Sequence, residues 1–298
     1  MTSANKISPL TNISLIKSIL LENNIQAKKS FGQNFLINDG VIKKIISLAD
    51  IKDNDKCIEI GPGLGSLTLA LLNSKADVFA IEKDKTIIDI LKNNVSNYCE
   101  NHVSNFEVLP DDALKIDFDK LDSKFSETKI KLVSNLPYNV AAPLIITYFQ
   151  NLPNLNEAIV MVQKEIADRI MANPGNKNYG AYTVKLSLYA DVVDKFAVSR
   201  TNFIPQPRVD STVIKLKRNN YTDKRIADTA CLIADAAFAH RRKTISNSIK
   251  QYFSEEINKA NKIIDSLISV GVNPNIRAES LTREDFIKTT KKFLENNM

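Results

Sequence analysis

The sequence predicts an α/β fold: a mostly parallel sheet with helices on both faces, followed by a small all-helical domain. Three observations predict it. Strand-like and helix-like apolar patterns alternate at least four times between residues 41 and 162. A glycine-rich turn, Gly61-Pro-Gly63-Leu-Gly65, closes the first of those strands, where open α/β sheets bind ligands. Beyond Arg218 only helical spacing is found.

Taken in order, residues 13 to 25 read as a short amphipathic helix, and Lys28 to Asn38 break the pattern. Val41, Ile42, Ile45, Ile46 and Ala49 then share a helical face, with Asn38 or Asp39 as the cap. Strands are expected at 56–60, 77–82, 105–109, 130–134 and 158–162, with helices at 67–73, 86–95 and 143–150 between them. A helical stretch after Gly180 leads to β-like residues 192–198 and a last strand at 213–216. Ile226 to Phe238, Ile245 to Phe253 and Ile263 to Ile268 mark three further helices. The expected organisation is an N-terminal extension (1–27), an α/β domain (28–219) and a helical domain (220–298).

Composition narrows the function. The chain has 298 residues, 44% hydrophobic and 25% charged, which suits a globular protein and excludes disorder as its theme. The formal net charge of +6 fits a partner rich in phosphate. Cys57, Cys99 and Cys231 stand far apart and form no C-x-x-C pair, so neither a disulfide framework nor a zinc site is expected. The two histidines, His102 and His240, lack a partner motif, and no metal is expected. No apolar run approaches the ~18 to 20 residues that span a bilayer, and no signal segment is seen, so a cytoplasmic monomer without a membrane partner is expected.

The glycine loop lets the backbone turn sharply and approach a ligand closely. Its spacing is G-x-G-x-G after an acid, Glu59, and Ser66 stands where a dinucleotide fingerprint needs glycine. It looks like the first motif of S-adenosylmethionine-dependent methyltransferases. Glu82 ends the second strand, where a carboxylate can accept both ribose hydroxyls. Asp111 and Asp112 end the third, where an acid beside a backbone amide can pair with adenine; the sequence leaves open which of the two does so.

Asn135-Leu136-Pro137-Tyr138 follows the fourth strand. An amide, a spacer, proline and an aromatic in this place mark enzymes that methylate exocyclic amino groups of bases. The lone pair of such a nitrogen is delocalised into the ring. The Asn135 side-chain oxygen and the carbonyl of Leu136 or Pro137 can accept its two hydrogens, localise the lone pair and aim it. Tyr138 offers a flat face for a flipped base.

With these motifs, Phe31-Gly-Gln-Asn34-Phe-Leu36, Gln163-Lys-Glu165, Phe203-Ile-Pro205-Gln-Pro207-Arg-Val209-Asp-Ser211 and Arg241-Arg-Lys243-Thr-Ile-Ser-Asn247 resemble the ribosomal RNA adenine dimethyltransferases, from about Lys28 to about Phe286. The resemblance implies a Rossmann-like methyltransferase sheet and a helical domain. It implies S-adenosyl-L-methionine as cofactor and dimethylation of two adjacent adenosines in the 3′-terminal hairpin of 16S rRNA, within the small ribosomal subunit or its precursor. Position by position, it implies that Asn34, Leu36, Gly61, Gly63, Glu82, Asp112 and Asn135 hold the cofactor. Phe203 would stack the target base with Tyr138, and Asn135, Leu136 and Pro137 would line the reaction centre.

Arg241, Arg242 and Lys243 are expected to contact rRNA phosphate, against the alternative of a solvated helix end or a structural clamp. Three rival functions are weighed: the erythromycin-resistance type of large-subunit adenine methyltransferase, a non-catalytic ribosome-assembly factor on the same fold, and a NAD-dependent oxidoreductase. The Arg241–Lys243 block disfavours the first, the intact Asn135, Pro137, Tyr138 and Glu82 the second, and Ser66 the third.

Overall fold

The computed structural model describes residues 7–25, 33–221 and 223–296. The chain forms two compact units. One comprises Met1–Ala167 and Val192–Lys217, the other Asp168–Asp191 and Arg218–Met298.

The first unit is built on a seven-stranded sheet. Strands β2 (Lys56–Ile60), β3 (Asp77–Ile81), β4 (Phe106–Leu109), β5 (Ile130–Asn135) and β6 (Leu155–Gln163) are parallel neighbours in the order β4-β3-β2-β5-β6. Strand β9 (Ser211–Arg218) pairs antiparallel with β6, and β7 (Ala190–Val198) forms the far edge. The order reverses at β2, so β2 and β5 diverge into a crevice at their carboxyl ends, where α/β sheets bind ligands. Strands β2 and β3 are buried nearly throughout, as a sheet covered on both faces requires. Helices α2 (Asp39–Ala49), α3 (Ser66–Asn73), α4 (Lys85–Tyr98), α5 (Phe118–Lys124) and α6 (Ala141–Asn151) connect the strands. Asn38 caps α2, its side chain accepting from the Val41 amide.

The expected N-terminal extension is part of this unit for its described residues. Leu10 and Ile16 are fully buried in the same cluster as Leu67, Leu71 and Val95, and α1 (Ile13–Glu22) carries Ile16 and Ile19 into it. Ser66 Oγ donates to the Leu10 carbonyl at 2.9 Å. A two-stranded ribbon, β1 (Phe35–Leu36) with β8 (Phe203–Ile204), joins the segment before α2 to the segment before β9.

The second unit is a helical cluster of α8 (Ala181–Ser187), α9 (Lys224–Phe238), α10 (Ile245–Tyr252), α11 (Ile257–Ser269) and α12 (Arg283–Glu295). Its core gathers Tyr179, Val184, Ile233, Ile249, Ile263 and Phe286. Residues 168–191, expected in the α/β domain, belong here instead. Val184 lies in this core, Lys185 pairs with Asp235 at 2.9 Å, and the Tyr189 hydroxyl donates to Asp228 at 2.9 Å. Helix α12 went unread in the sequence because it exposes charge on one side and buries mainly Phe286, Ile287, Thr289 and Thr290. A capping box between Thr282 and Asp285 starts it. Among the described residues no helix is long and apolar enough to cross a membrane, and no cluster of His, Cys, Asp and Glu could hold a metal ion. All three cysteines are free and buried.

Candidate active site

The crevice at the carboxyl ends of β2, β3, β4 and β5 opens into a cavity of about 200 Å³. Four segments converge on it: Gln33–Leu36, the loop from Glu59 to Leu67, the ends of β3 and β4 at Glu82 and Asp111–Asp112, and Asn135–Val140.

The glycine loop is shaped for close approach. Gly61, Gly63 and Gly65 have φ of 67°, 58° and 97°, a region that side chains strain to enter. A Cβ on Gly61 would stand 3.3 Å from the Pro137 ring, and one on Gly63 would stand 3.3 Å from the Phe35 ring. The bare backbone therefore lets the cofactor loop, the Asn-Leu-Pro-Tyr turn and the N-terminal segment meet. Ser134 Oγ donates to the Ile60 carbonyl at 2.6 Å, which ties the ends of β5 and β2 together.

Two buried carboxylates back this loop. Glu59 is 1% exposed and accepts from Thr68 Oγ1 at 2.7 Å; burial is the main cause that pushes its carboxyl up to about 8. Glu82 is 7% exposed, and burial raises its carboxyl as well. Glu82 accepts the Asp84 amide at 2.8 Å through one oxygen and the Gly63 amide at 3.3 Å through the other. Each carboxylate oxygen has a second lone pair, so Glu82 retains capacity for two hydroxyl donors. Glu82, held this way at the cavity, can accept hydrogen bonds from a ligand that bears hydroxyls. The sequence marks Glu59 as the acid before the glycine loop, while its burial and its bond to Thr68 emerge only in the fold.

At the end of β4 the aspartates differ. Asp112 is held by the Lys83 ammonium at 2.8 Å and by the Leu114 amide at 3.1 Å, and Lys83 is the first cause keeping its carboxyl below the usual range. Asp111 accepts the Asp112 amide at 2.7 Å. Both line the cavity.

At the reaction motif, Asn135 Nδ2 donates to the Asn34 carbonyl at 3.2 Å. That bond fixes the amide, and its oxygen, Oδ1, is buried and accepts no hydrogen bond among the described residues. The Pro137 carbonyl accepts the Val140 amide at 3.1 Å, closing the turn. The Leu136 carbonyl accepts no such backbone bond among the described residues. The Tyr138 ring lies on the cavity wall, and its hydroxyl is 2.6 Å from Ser211 Oγ.

Asn34, Leu36, Gly61, Gly63, Glu82, Asp112, Asn135, Leu136, Pro137 and Tyr138 are thus brought together. Phe203 is not. It is 2% exposed, packs in the core cluster with Phe35 and Leu36, and pairs with Leu36 across the β1–β8 ribbon. The pairing that places the N-terminal segment at the cavity turns this ring inward.

Arg241, Arg242 and Lys243 are exposed in the turn between α9 and α10 and precede the helix rather than begin it. The Arg241 guanidinium donates to the carbonyls of Lys177 at 2.8 Å and Tyr179 at 3.0 Å. It fastens residues 177–179 to the helical unit.

The strand order, the glycine loop and this pocket define a Rossmann-like methyltransferase fold. The family model for ribosomal RNA adenine dimethylase matches residues 24–294, and the chain belongs to that family. Ribosomal RNA small subunit methyltransferase A of Natranaerobius thermophilus is 38% identical over 295 residues, covering 93% of this chain and 94% of that one. The protein of the same name from Streptococcus thermophilus is 34% identical over 290 residues, 96% of this chain and 98% of that one. Among solved structures, a dimethyladenosine transferase from Plasmodium falciparum is similar with a TM-score of 0.72 at 28% identity, covering 88% of this chain and 98% of the other. The 23S rRNA methyltransferase ErmE shares the fold, with a TM-score of 0.60 at 21% identity over 87% of this chain and 99% of that one.

Proposed function

We propose that this protein dimethylates N6 of two adjacent adenosines in the 3′-terminal hairpin of 16S rRNA, within the small ribosomal subunit or its precursor, using S-adenosyl-L-methionine, and that it works as a cytoplasmic monomer in small-subunit biogenesis. The observation that carries the chemistry is the Asn135 amide, whose oxygen is buried, unpartnered and fixed by the Asn34 carbonyl. A buried acceptor left open is costly unless a ligand fills it. The small-subunit substrate is supported by relatives that carry that name across nearly their whole length.

S-adenosylmethionine supplies a methyl group on a positively charged sulfur. The pocket suits it on three counts: a glycine loop that a Cβ would obstruct, Glu82 at the cavity with lone pairs left for hydroxyls, and Asp112 lining the same cavity as an acceptor. Glu82 binds the ribose hydroxyls, and Gly61 and Gly63 let the backbone lie against the amino-acid part. Asp112 and a neighbouring amide receive the adenine.

Asn135 Oδ1 and the Leu136 carbonyl accept the two N6 hydrogens of the target adenine. Those two acceptors would favour a pyramidal nitrogen with a localised lone pair, held ready for a bound methyl donor. Tyr138 stacks the flipped base and shields the site from water. No strong general base would be needed: a sulfonium donor would leave as a neutral thioether as the N–CH3 bond formed, and the methylated nitrogen, then cationic, would be acidic enough to lose its proton to water. Exposed Arg242 and Lys243 bind RNA phosphate. The test is Asn135→Ala. Methyl transfer to immature small subunits is expected to fall by a factor of about 10² to 10³, while RNA binding stays near that of the parent. Turnover within a few-fold of the parent would refute the mechanism.

A further inference from the structure

Tyr138 belongs to a loop, yet the group that holds it belongs to the sheet. Its hydroxyl meets Ser211 Oγ at 2.6 Å. Ser211 is the first residue of β9, 1% exposed, and faces Gln163 of β6 in register. The residue before it is pinned twice: the Lys164 amide donates to the Asp210 carbonyl at 3.0 Å, and the Arg200 amide donates to Asp210 Oδ1 at 2.9 Å. The serine hydroxyl is therefore a fixed point, and the tyrosine ring hangs from it across the cavity wall.

The phenol oxygen has no evident chemical duty. Asn135 and Leu136 already provide the two acceptors that the target amino group needs. An aromatic platform works only if its plane stays in place, and a hydrogen bond at the para position stops the ring from swinging about its side-chain bonds.

Resting on the function proposed above, we infer that Ser211 is a positioning residue, whose hydroxyl anchors Tyr138 and sets the plane against which the flipped adenine stacks. It touches neither the cofactor pocket nor the reacting nitrogen, and it acts through Tyr138 alone.

The experiment uses the full-length chain, S-adenosylmethionine and immature small subunits. Four variants are compared with the parent: Ser211→Ala, Ser211→Thr, Tyr138→Phe and the double Ser211→Ala with Tyr138→Phe. Each is measured for kcat, KM for the subunit, and cofactor affinity by calorimetry. Ser211→Ala is expected to lower kcat about ten-fold, the scale of one lost buried hydrogen bond, with cofactor affinity unchanged. Ser211→Thr should restore most of the rate. Tyr138→Phe removes the same bond from the loop side without touching the sheet, so it should match Ser211→Ala, and the double variant should be no worse than either. Three results would each overturn the inference: kcat of Ser211→Ala within two-fold of the parent, losses that multiply in the double variant, or cofactor affinity falling in step with kcat. A parent that methylates no small subunit would instead refute the proposed function, so the two failures are distinguishable.

Discussion

The α/β unit carries 23 Lys and Arg against 22 Asp and Glu, whereas the helical unit carries 17 against 12. Almost all of the net positive charge thus lies in the unit without the pocket. The α/β unit spends its charge locally. Glu59 and Glu82 are buried behind the glycine loop, and Lys83 is paired with Asp112. The helical unit keeps Arg242 and Lys243 exposed. The function proposed above asks one unit to hold a cationic nucleoside and aim one amino group, and the other to meet a polyanion. Long-range attraction and local aim are separate tasks, and here they fall to separate parts of the chain.

If that division is right, the largest effect comes from the α/β unit alone. Asn135→Ala should cost the two to three orders of magnitude given above while leaving binding to the subunit intact. Equal losses in turnover and RNA affinity would break the comparison.

Glu59 sharpens it through pH. Burial raises its folded-state pKa to about 8, above the ordinary carboxylate value it has when unfolded. Its contribution is therefore fully present below that ordinary value and is lost as pH rises through about 8. The parent should lose stability on the order of 3 kcal/mol more than Glu59→Gln between about pH 5 and pH 9. Hydrogen exchange should place that loss in the α/β unit. Parallel pH profiles in parent and variant would count against this reading of Glu59.

Next comes Glu82→Ala, expected to weaken cofactor binding by roughly 1.5 to 3 kcal/mol, the scale of a charged hydrogen bond. The loop amide of Gly63 loses its acceptor in the same variant. Unchanged affinity by calorimetry in a folded variant would contradict the ribose assignment.

The smallest effect belongs to the helical unit. Replacing Arg242 and Lys243 together by Ala should flatten the salt dependence of subunit binding by about one unit per lost phosphate contact, with cofactor affinity unchanged. Arg241→Ala should behave differently, lowering stability by about 1 kcal/mol, the scale of a net hydrogen bond, because two backbone carbonyls at 177 and 179 lose their donor. An identical salt slope in parent and double variant would return the cluster to a structural role.

How much of this was legible follows the range of the interactions. The glycine loop, Glu82 and Asn135-Leu136-Pro137-Tyr138 are short segments at strand ends, and alternation of apolar residues located those strands within a few positions. A cap at Asn38 or Asp39 was readable for the same reason, and the structure selects Asn38. Phe203 was not, because its burial depends on pairing with Leu36, far away in sequence. Nor was the fate of Arg241, whose partners at 177–179 sit in a segment that looked like part of the sheet domain. Within residues 168–191 the sequence shows a helical stretch only after Gly180, and it is Val184, Lys185 and Tyr189 meeting α9 and its neighbours that assign the segment to the helical unit. The link from Ser211 to Tyr138 joins residues 73 apart in sequence, and neither residue announces the other.

The central claim is that this site methylates adenine amino groups of small-subunit rRNA. It is tested most directly by incubating the full-length chain and S-adenosylmethionine carrying a labelled methyl group with immature small subunits and, separately, with large subunits, and then mapping the modified bases. Two methyl groups are expected on N6 of each of two adjacent adenosines in the 3′-terminal hairpin of 16S rRNA, and no label in 23S rRNA. Label confined to the large subunit, or no label in either, would contradict it.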